Sequence, residues 1–243
     1  MIGEAISSFL KQKNSPPLHL KAVFFDMDGV LFDSMPFHAS SWVKAMQSAG
    51  LAFTEYQAYI NEGRTGAATI NNEFVKIHGR KATEDEIKNI YQLKSHHFEL
   101  CGTTPRIPFA YDILQKIKAQ GLQIILVTGS GQPSLLDSLE TNFPGIFTKD
   151  NMITSFDVKH GKPHPEPYLM ALKKAGVPPW EAIVIENAPL GIEAAAAAGI
   201  FTIAINTGIL ENEILEKAGA NLVLSGMEEL YQKWDSILKA ING

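Results

Sequence analysis

Short apolar segments rich in Val and Ile alternate with amphipathic segments along most of this chain. Nearly continuous apolar strands separated by helices are typical of a parallel sheet covered on both faces. The helices between them end at Gly121, Gly176 and Gly199, residues that commonly follow the last turn of a helix. The pattern therefore predicts an α/β fold, with strands over 21–26, 123–128, 151–154, 182–186, 202–206 and 221–224.

One stretch interrupts this alternation. Between the first two strands the sequence has only helical patterning, over 37–49, 55–61, 66–78 and 83–99. A structureless loop of that length would be unusual in a compact domain, so we expect an inserted helical cap. We place the core at 1–34 and 105–243 and the cap at 35–104. The insertion leaves the sheet near Asp26 and Asp28, where it can cover a site like a lid.

Composition restricts the possible functions. The 243 residues carry a net charge of −5, which argues against a nucleic-acid partner, since such a partner requires clustered Lys and Arg. No apolar run approaches the ~20 residues that span a bilayer, so we expect no membrane partner. The single cysteine, Cys101, fits a reducing compartment. We expect a cytoplasmic protein and, by default, a monomer.

Polar residues follow the predicted strands where an open α/β sheet places its ligands. Asp26 and Asp28 follow the first strand, Thr128 the second, and Glu186-Asn187 the strand over 182–186. Lys162 lies between Gly161 and Pro163, in a loop. One acid can act as nucleophile and the other can transfer protons, provided that a cation offsets their repulsion. Together these residues predict a phosphoryl-transfer centre.

Taken singly, each of these residues has an ordinary structural explanation. The two aspartates would suit a turn, Thr128 a helix cap, Lys162 a solvated surface and Glu186 the end of a strand. The joint pattern, rather than any one residue, carries the functional prediction.

The motifs resemble those of the haloacid dehalogenase (HAD) superfamily, in its β-phosphoglucomutase-like branch. The resemblance covers the chain from Lys21 onward. It implies a Rossmann-like parallel-sheet core with an inserted α-helical cap. The motifs that carry it are Asp26-Met27-Asp28-Gly29-Val30, Thr128-Gly129-Ser130, Gly161-Lys162-Pro163-His164-Pro165-Glu166-Pro167 and Glu186-Asn187-Ala188-Pro189-Leu190-Gly191.

The resemblance implies a role for each catalytic residue. Asp26 would attack phosphorus and form an aspartyl phosphate, and Asp28 would act as the general acid and base. Thr128 would hydrogen-bond a phosphoryl oxygen, while Lys162 would neutralise charge. The backbone of Gly129 and Ser130 would add N–H donors.

The resemblance also implies a Mg²⁺ cofactor. Its ligands would be the Asp26 carboxylate, the Asp28 main-chain carbonyl, and Glu186 with Asn187.

Two departures from the sugar-phosphate mutases bear on the substrate. The fourth motif of most relatives is Glu-Asp or Asp-Asp, whereas Asn187 stands here and removes one negative charge. In the cap loop, Glu62 stands where the mutases have a basic residue, and their arginine is missing, although Arg64 lies nearby. We hypothesise that Glu62 reaches the metal when the cap closes and replaces the missing charge. His38 and Lys94 match the positions of mutase cap residues.

These departures predict a small, cation-rich pocket suited to a compact polyanion. We therefore predict hydrolysis of inorganic pyrophosphate, in keeping with a resemblance of the cap to bacterial HAD pyrophosphatases that carry a β-phosphoglucomutase name. The alternative is a β-phosphoglucomutase or a small sugar-phosphate phosphatase. A non-catalytic binding module of the same fold is a third interpretation, which the intact acids, Thr128 and Lys162 disfavour.

Overall fold

The core of the molecule is one parallel six-stranded sheet. The structure, a computed structural model, describes residues 2–13, 15–130 and 133–242, and of residues 133–137 it describes the backbone alone. The strand order is β3-β2-β1-β4-β5-β6 and all neighbours are parallel. The strands are β1 (Ala22–Phe25), β2 (Gln123–Val127), β3 (Met152–Ile153), β4 (Ala182–Glu186), β5 (Phe201–Ile205) and β6 (Leu222–Leu224).

The order of the strands creates a switch point at the carboxyl end of β1. From β1 the chain passes to β2 and β3 on one side, and then returns to β4, β5 and β6 on the other. In open α/β sheets, ligands bind in the crevice at such a point. The residues that follow β1, β2 and β4 therefore meet at one edge of the sheet.

Helices cover both faces of the sheet, as the apolar strands require. Alternate residues of β1 face opposite sides, so Val23 and Phe25 join one hydrophobic cluster while Ala22 and Phe24 join another. The first cluster packs under α1, α6, α7 and α11, and the second under α8 and α9. These helices and the short α10 are α1 (Ile2–Lys13), α6 (Ala110–Ala119), α7 (Pro133–Asn142), α8 (Glu166–Ala175), α9 (Pro189–Ala197), α10 (Asn212–Lys217) and α11 (Met227–Asn242).

Four helices lie between β1 and β2. They are α2 (Met35–Ser48), α3 (Glu55–Ile60), α4 (Gly66–His78) and α5 (Glu84–Glu99). Thr54, Thr65 and Thr83 cap the last three of them through their side-chain oxygens. Buried residues of all four helices, including Met46 and Phe74, form a hydrophobic cluster that also contains Leu210. The helical insertion is thus present, while its status as a cap domain with the bounds 35–104 stays a prediction.

The α/β fold class and its parallel sheet are confirmed. The main difference lies in β3, which has only the two residues Met152–Ile153 where a strand over 151–154 was predicted. Its register explains this, because it pairs with β2 at two positions only, Leu126 with Met152 and Val127 with Ile153. Among the described residues, no helix is both long and apolar enough to cross a bilayer.

Candidate active site

The sequence-predicted site residues converge on the switch point. Nine of them line one cavity of about 80 Å³ between the sheet edge and helices α2–α5: Asp26, Asp28, His38, Glu62, Arg64, Lys94, Thr128, Gly129 and Ser130. The other three, Lys162, Glu186 and Asn187, are buried and hydrogen-bonded to one another or to the first set. The structure therefore brings together all twelve predicted residues.

A buried lysine holds the predicted nucleophile. The Nζ of Lys162 donates to Asp26 Oδ1 at 2.6 Å, to Glu186 Oε1 at 2.5 Å and to the Val127 carbonyl at 3.1 Å. These three acceptors use all three hydrogens of the ammonium group. In the described part of the chain, the other Asp26 oxygen has no hydrogen-bond partner. Lys162 thus fixes the orientation of Asp26 and leaves one carboxylate oxygen available.

Burial and neighbouring charges together set the titration of this pair. Burial and the charges of Glu186 and Asp28 outweigh the lowering effect of Lys162, so the pKa of Asp26 is raised to about 8. Burial alone would lower the pKa of Lys162, but attraction to Asp26 and Glu186 outweighs it and raises that pKa well above its ordinary value. Lys162 is therefore charged, while Asp26 lacks enough positive charge around it to ionise readily.

Glu186 has a different environment from the one predicted. Its Oε1 accepts hydrogen bonds from Lys162 Nζ and from the Tyr168 hydroxyl at 3.0 Å. Its Oε2 accepts from the amides of Asn187 at 2.9 Å and Ala188 at 3.0 Å. A carboxylate offers about four lone-pair sites. All four are used, so the geometry speaks against Glu186 as a direct metal ligand and indicates that it supports Lys162.

A chain of hydrogen bonds leads from α5 to Asp28. Lys94 Nζ lies 2.8 Å from His38 Nδ1, and His38 Nε2 lies 3.1 Å from Asp28 Oδ1. Because a charged ammonium can only donate, Nδ1 is the acceptor and the imidazole proton sits on Nε2, facing Asp28. The Ser34 hydroxyl donates to the same Asp28 oxygen at 2.6 Å.

These contacts set the charges along the chain. Burial would raise the pKa of Asp28, but the charge and hydrogen bond of His38 and the bond from Ser34 outweigh it, so the pKa is lowered. Burial and the charge of Lys94 lower the pKa of His38, which is therefore neutral at pH 7. Burial lowers the pKa of Lys94 to about 8. Asp28 is thus an ionised carboxylate, connected through a neutral imidazole to a lysine that loses its proton readily.

The cap-loop residue Glu62 contacts Asn187. The Asn187 Nδ2 lies 3.2 Å from each carboxylate oxygen of Glu62. In this orientation the amide nitrogen of Asn187 donates to Glu62. As a result Asn187 Oδ1 is buried without a partner in the described part of the chain. Burial and the charges of Asp26, Glu186 and Asp28 raise the pKa of Glu62 well above its ordinary value.

The donors at this point fit a hard divalent cation. The described residues contain no group of three or more His, Cys, Asp or Glu side chains already arranged around a metal. The fit depends instead on mixed oxygen donors: the available Asp26 oxygen, the orphaned Asn187 Oδ1 and the nearby Glu62. Carboxylate and amide oxygens suit Mg²⁺, and a cation would relieve the repulsion that raises the pKa of Asp26 and Glu62.

The remaining predicted residues lie along the cavity wall. The Ser130 amide donates to Thr128 Oγ1 at 2.9 Å, so Thr128 keeps its own hydroxyl proton for another acceptor. Gly129 lies so close to the Gly63 carbonyl that a Cβ there would be 2.7 Å from the oxygen. Arg64 is half-buried, and its Nε has no partner among the described residues.

Sequence reasoning missed two residues that support the site. Ser34 bonds Asp28 and lies six residues after it, and Tyr168 bonds Glu186 and lies six residues after Lys162. Both occur just beyond motifs that had been identified. The signal in the sequence was only that each is a polar residue close to a motif. Where the two side chains lie depends on how α2 and α8 pack.

The fold and the site define an open α/β protein whose polar centre is covered by inserted helices. The chain belongs to the haloacid dehalogenase-like hydrolase family, whose model matches residues 20–199. Hexitol phosphatase A from Escherichia coli (strain K12) is 28% identical, and the match covers 88% of this chain and 94% of that protein. A phosphorylated carbohydrates phosphatase from Thermotoga maritima is 30% identical, over 83% of this chain and 92% of that protein.

A solved structure from Bacteroides vulgatus, provisionally named a β-phosphoglucomutase, is 52% identical. It superposes with a TM-score of 0.96, and the match covers 100% of this chain and 98% of that one. The predicted membership of the superfamily and its β-phosphoglucomutase-like resemblance are confirmed. The relatives named here do not show the predicted link to pyrophosphatases.

Proposed function

We propose that this hydrolase is a Mg²⁺-dependent phosphatase that acts through an aspartyl phosphate on Asp26. The observation that carries the proposal is the hydrogen bond of 2.6 Å from Lys162 to Asp26. It holds one carboxyl oxygen of Asp26 and leaves the other without a hydrogen-bond partner among the described residues. That oxygen forms the bond to phosphorus while the bond to the leaving-group oxygen breaks.

Asp28 handles the protons in both halves of the reaction. It gives a proton to the leaving-group oxygen, then takes one from the water that attacks phosphorus, after which the bond between phosphorus and Asp26 breaks. The lowered pKa of Asp28 suits the second half. For the first half, an anionic substrate beside Asp28 raises its pKa, and the His38–Lys94 chain is a route by which a proton arrives.

Other residues bind the transferring phosphoryl group. Thr128 donates its hydroxyl proton, the backbone of Gly129 and Ser130 lines the pocket, and Arg64 adds positive charge. Asp26, the Asp28 carbonyl, Asn187 Oδ1 and Glu62 would hold Mg²⁺, and bound Mg²⁺ would stabilise the charge that develops on the phosphoryl oxygens.

The substrate class supported by the comparisons is a small sugar or polyol phosphate. The hexitol phosphatase and the carbohydrate phosphatase are both matched over most of their length. The resemblance to β-phosphoglucomutases supports a mutase reaction as the alternative. In that reaction Asp28 takes a proton from a sugar hydroxyl instead of water, the hydroxyl oxygen bonds to phosphorus, and the bond between phosphorus and Asp26 breaks.

Pyrophosphate is a second candidate, and two observations favour it. Glu62 approaches Asn187 at 3.2 Å, at the point where the mutases have a basic residue in the cap loop. The cavity of about 80 Å³ is also small compared with the roughly 300–1,000 Å³ of typical ligand pockets. Both features suit a compact anion better than a hexose phosphate.

The test is phosphate release with Mg²⁺, comparing kcat/KM for pyrophosphate, hexitol phosphates, glycerol phosphate and β-glucose-1-phosphate. A preference for polyol or sugar phosphates supports the first class, and a preference for pyrophosphate by orders of magnitude supports the second. Formation of glucose-6-phosphate identifies a mutase. Failure of every phosphorylated substrate, with Asp26→Asn as the blank, overturns the proposal.

A further inference from the structure

The loop over 207–210 joins the sheet to the inserted helices, although neither the motifs nor the reaction accounts for it. This β5–α10 loop follows β5 in the core, yet Leu210 is buried within the hydrophobic cluster of α2–α5. Next to it, Gly208 packs against the ring of Tyr59 on α3, where a Cβ on the glycine would lie 2.9 Å from two ring carbons. Such distances are shorter than real Cβ contacts, so the approach requires glycine.

The backbone conformation gives no other reason for this glycine. Gly208 is not among the glycines with positive φ, so an alanine would fit its φ without strain. What excludes a side chain is the ring of Tyr59 alone. The glycine therefore serves the contact between the loop and α3.

The same loop contacts the turn that carries Asp28. The Thr207 hydroxyl donates to the Gly29 carbonyl at 2.5 Å. Gly29 in turn packs against Asn187, since a Cβ at Gly29 would lie 2.0 Å from Nδ2 of that amide. Thr207 thus supports the core side of the Asn187–Glu62 contact.

Tyr59 supports the other side of that contact. The Glu62 amide donates to the Tyr59 carbonyl at 3.3 Å, so a shift of Tyr59 moves Glu62 with it. The β5–α10 loop is therefore linked to both partners of the Asn187–Glu62 contact. Gly29 connects it to Asn187, and Tyr59 connects it to Glu62.

We propose that the β5–α10 loop positions Glu62 over Asn187, with Gly208 and Thr207 as positioning residues. Gly208 allows α3 to approach the core, and Thr207 holds the turn after Asp28. We also expect this contact to lower the Mg²⁺ requirement of hydrolysis, and that expectation alone rests on the proposed function.

The structural test is hydrogen exchange of the metal-free protein, comparing wild type with Gly208→Ala. The control is Gly226→Ala, because Gly226 has no positive φ and nothing within 4 Å of an added Cβ. We expect exchange over 55–66 to become several-fold faster in Gly208→Ala alone, with exchange in the sheet unchanged. Equal exchange over 55–66 in the two variants overturns the inference, whether or not the enzyme has the proposed activity.

The functional test is the Mg²⁺ concentration that gives half-maximal hydrolysis of the preferred substrate. Outer-shell changes typically weaken metal binding 10–100-fold, so we expect a rise of roughly 10-fold in Gly208→Ala and Thr207→Val. Thr207→Ser keeps the hydroxyl and should match wild type. If wild type hydrolyses no substrate, the proposed function fails and hydrogen exchange alone decides. If wild type is active and both loop variants keep its Mg²⁺ requirement, the positioning role is wrong.

Discussion

Replacing Lys162 by methionine should destabilise the protein far more than an ordinary lysine substitution. Lys162 is 2% exposed, and its ammonium group bridges Asp26 and Glu186 at 2.6 and 2.5 Å. Methionine occupies similar volume but leaves the acidic side chains of Asp26 and Glu186 buried without their ammonium partner. Removing one partner from a buried ion pair typically costs about 3–5 kcal/mol.

That cost translates into a large shift in melting temperature. For a chain of 150–250 residues, each kcal/mol changes Tm by about 2–4 °C, so Lys162→Met should melt roughly 6–20 °C below wild type. The matched control is Lys233→Met, whose ammonium pairs with Glu229 while its side chain is 39% exposed. A surface pair contributes only about 0.2–1 kcal/mol, so the control should melt within about 4 °C of wild type.

The assay is thermal unfolding followed by circular dichroism at pH 7.5 in chelator, which removes any effect of bound metal. A second variant isolates the charge. Adding Glu186→Gln to Lys162→Met removes one of the uncompensated carboxylates and should recover part of the lost Tm. If Lys162→Met melts together with Lys233→Met, the buried ion triad does not contribute to stability as the structure implies.

Three further predictions concern the same centre. Asp26→Asn should abolish turnover while the fold persists, and substantial residual phosphate release would exclude the covalent mechanism. Because burial raises the pKa of Asp26 from 3.8 to about 8, the folded protein holds a proton that the unfolded chain releases. Unfolding free energy of the metal-free protein should therefore fall as pH rises from about 4 to about 8, and urea titrations of Asp26→Asn should show a smaller fall. Gly191→Ala would place a Cβ 1.7 Å from Glu186 Oε1, so it should lower both Tm and activity, whereas Gly226→Ala should leave both unchanged.

The positions of the site residues followed from the sequence because sheet topology fixes them. Apolar runs predict parallel strands, and the carboxyl ends of such strands meet at one edge, so Asp26, Thr128 and Glu186 had to be neighbours. The insertion after β1 was equally visible, since a long strand-free stretch must form structure of its own.

The partners of those residues could not be predicted in the same way. Glu186 was expected to bind metal, but Tyr168 and two backbone amides saturate it together with Lys162, which depends on how α8 packs on the sheet. The β5–α10 loop shows the same limit, because no sequence pattern links Gly208 to a tyrosine about 150 positions earlier. Local patterns predict elements, whereas long-range contacts require the packed structure.

The charges around the cavity would couple a bound cation to the inserted helices. In the described part of the site, four acidic side chains, those of Asp26, Asp28, Glu62 and Glu186, lie close enough to influence one another's charge. Burial and this repulsion raise the pKa of Asp26 and of Glu62, and a divalent cation between them would favour the ionised form of both. Glu62 comes from the insertion rather than from the sheet. With an amide at position 187, the core alone attracts a cation less strongly than it does when Glu62 is present, because Coulomb attraction scales with the facing charge. Cation affinity and the approach of Glu62 must therefore strengthen one another, by the reciprocity that governs any two coupled binding events.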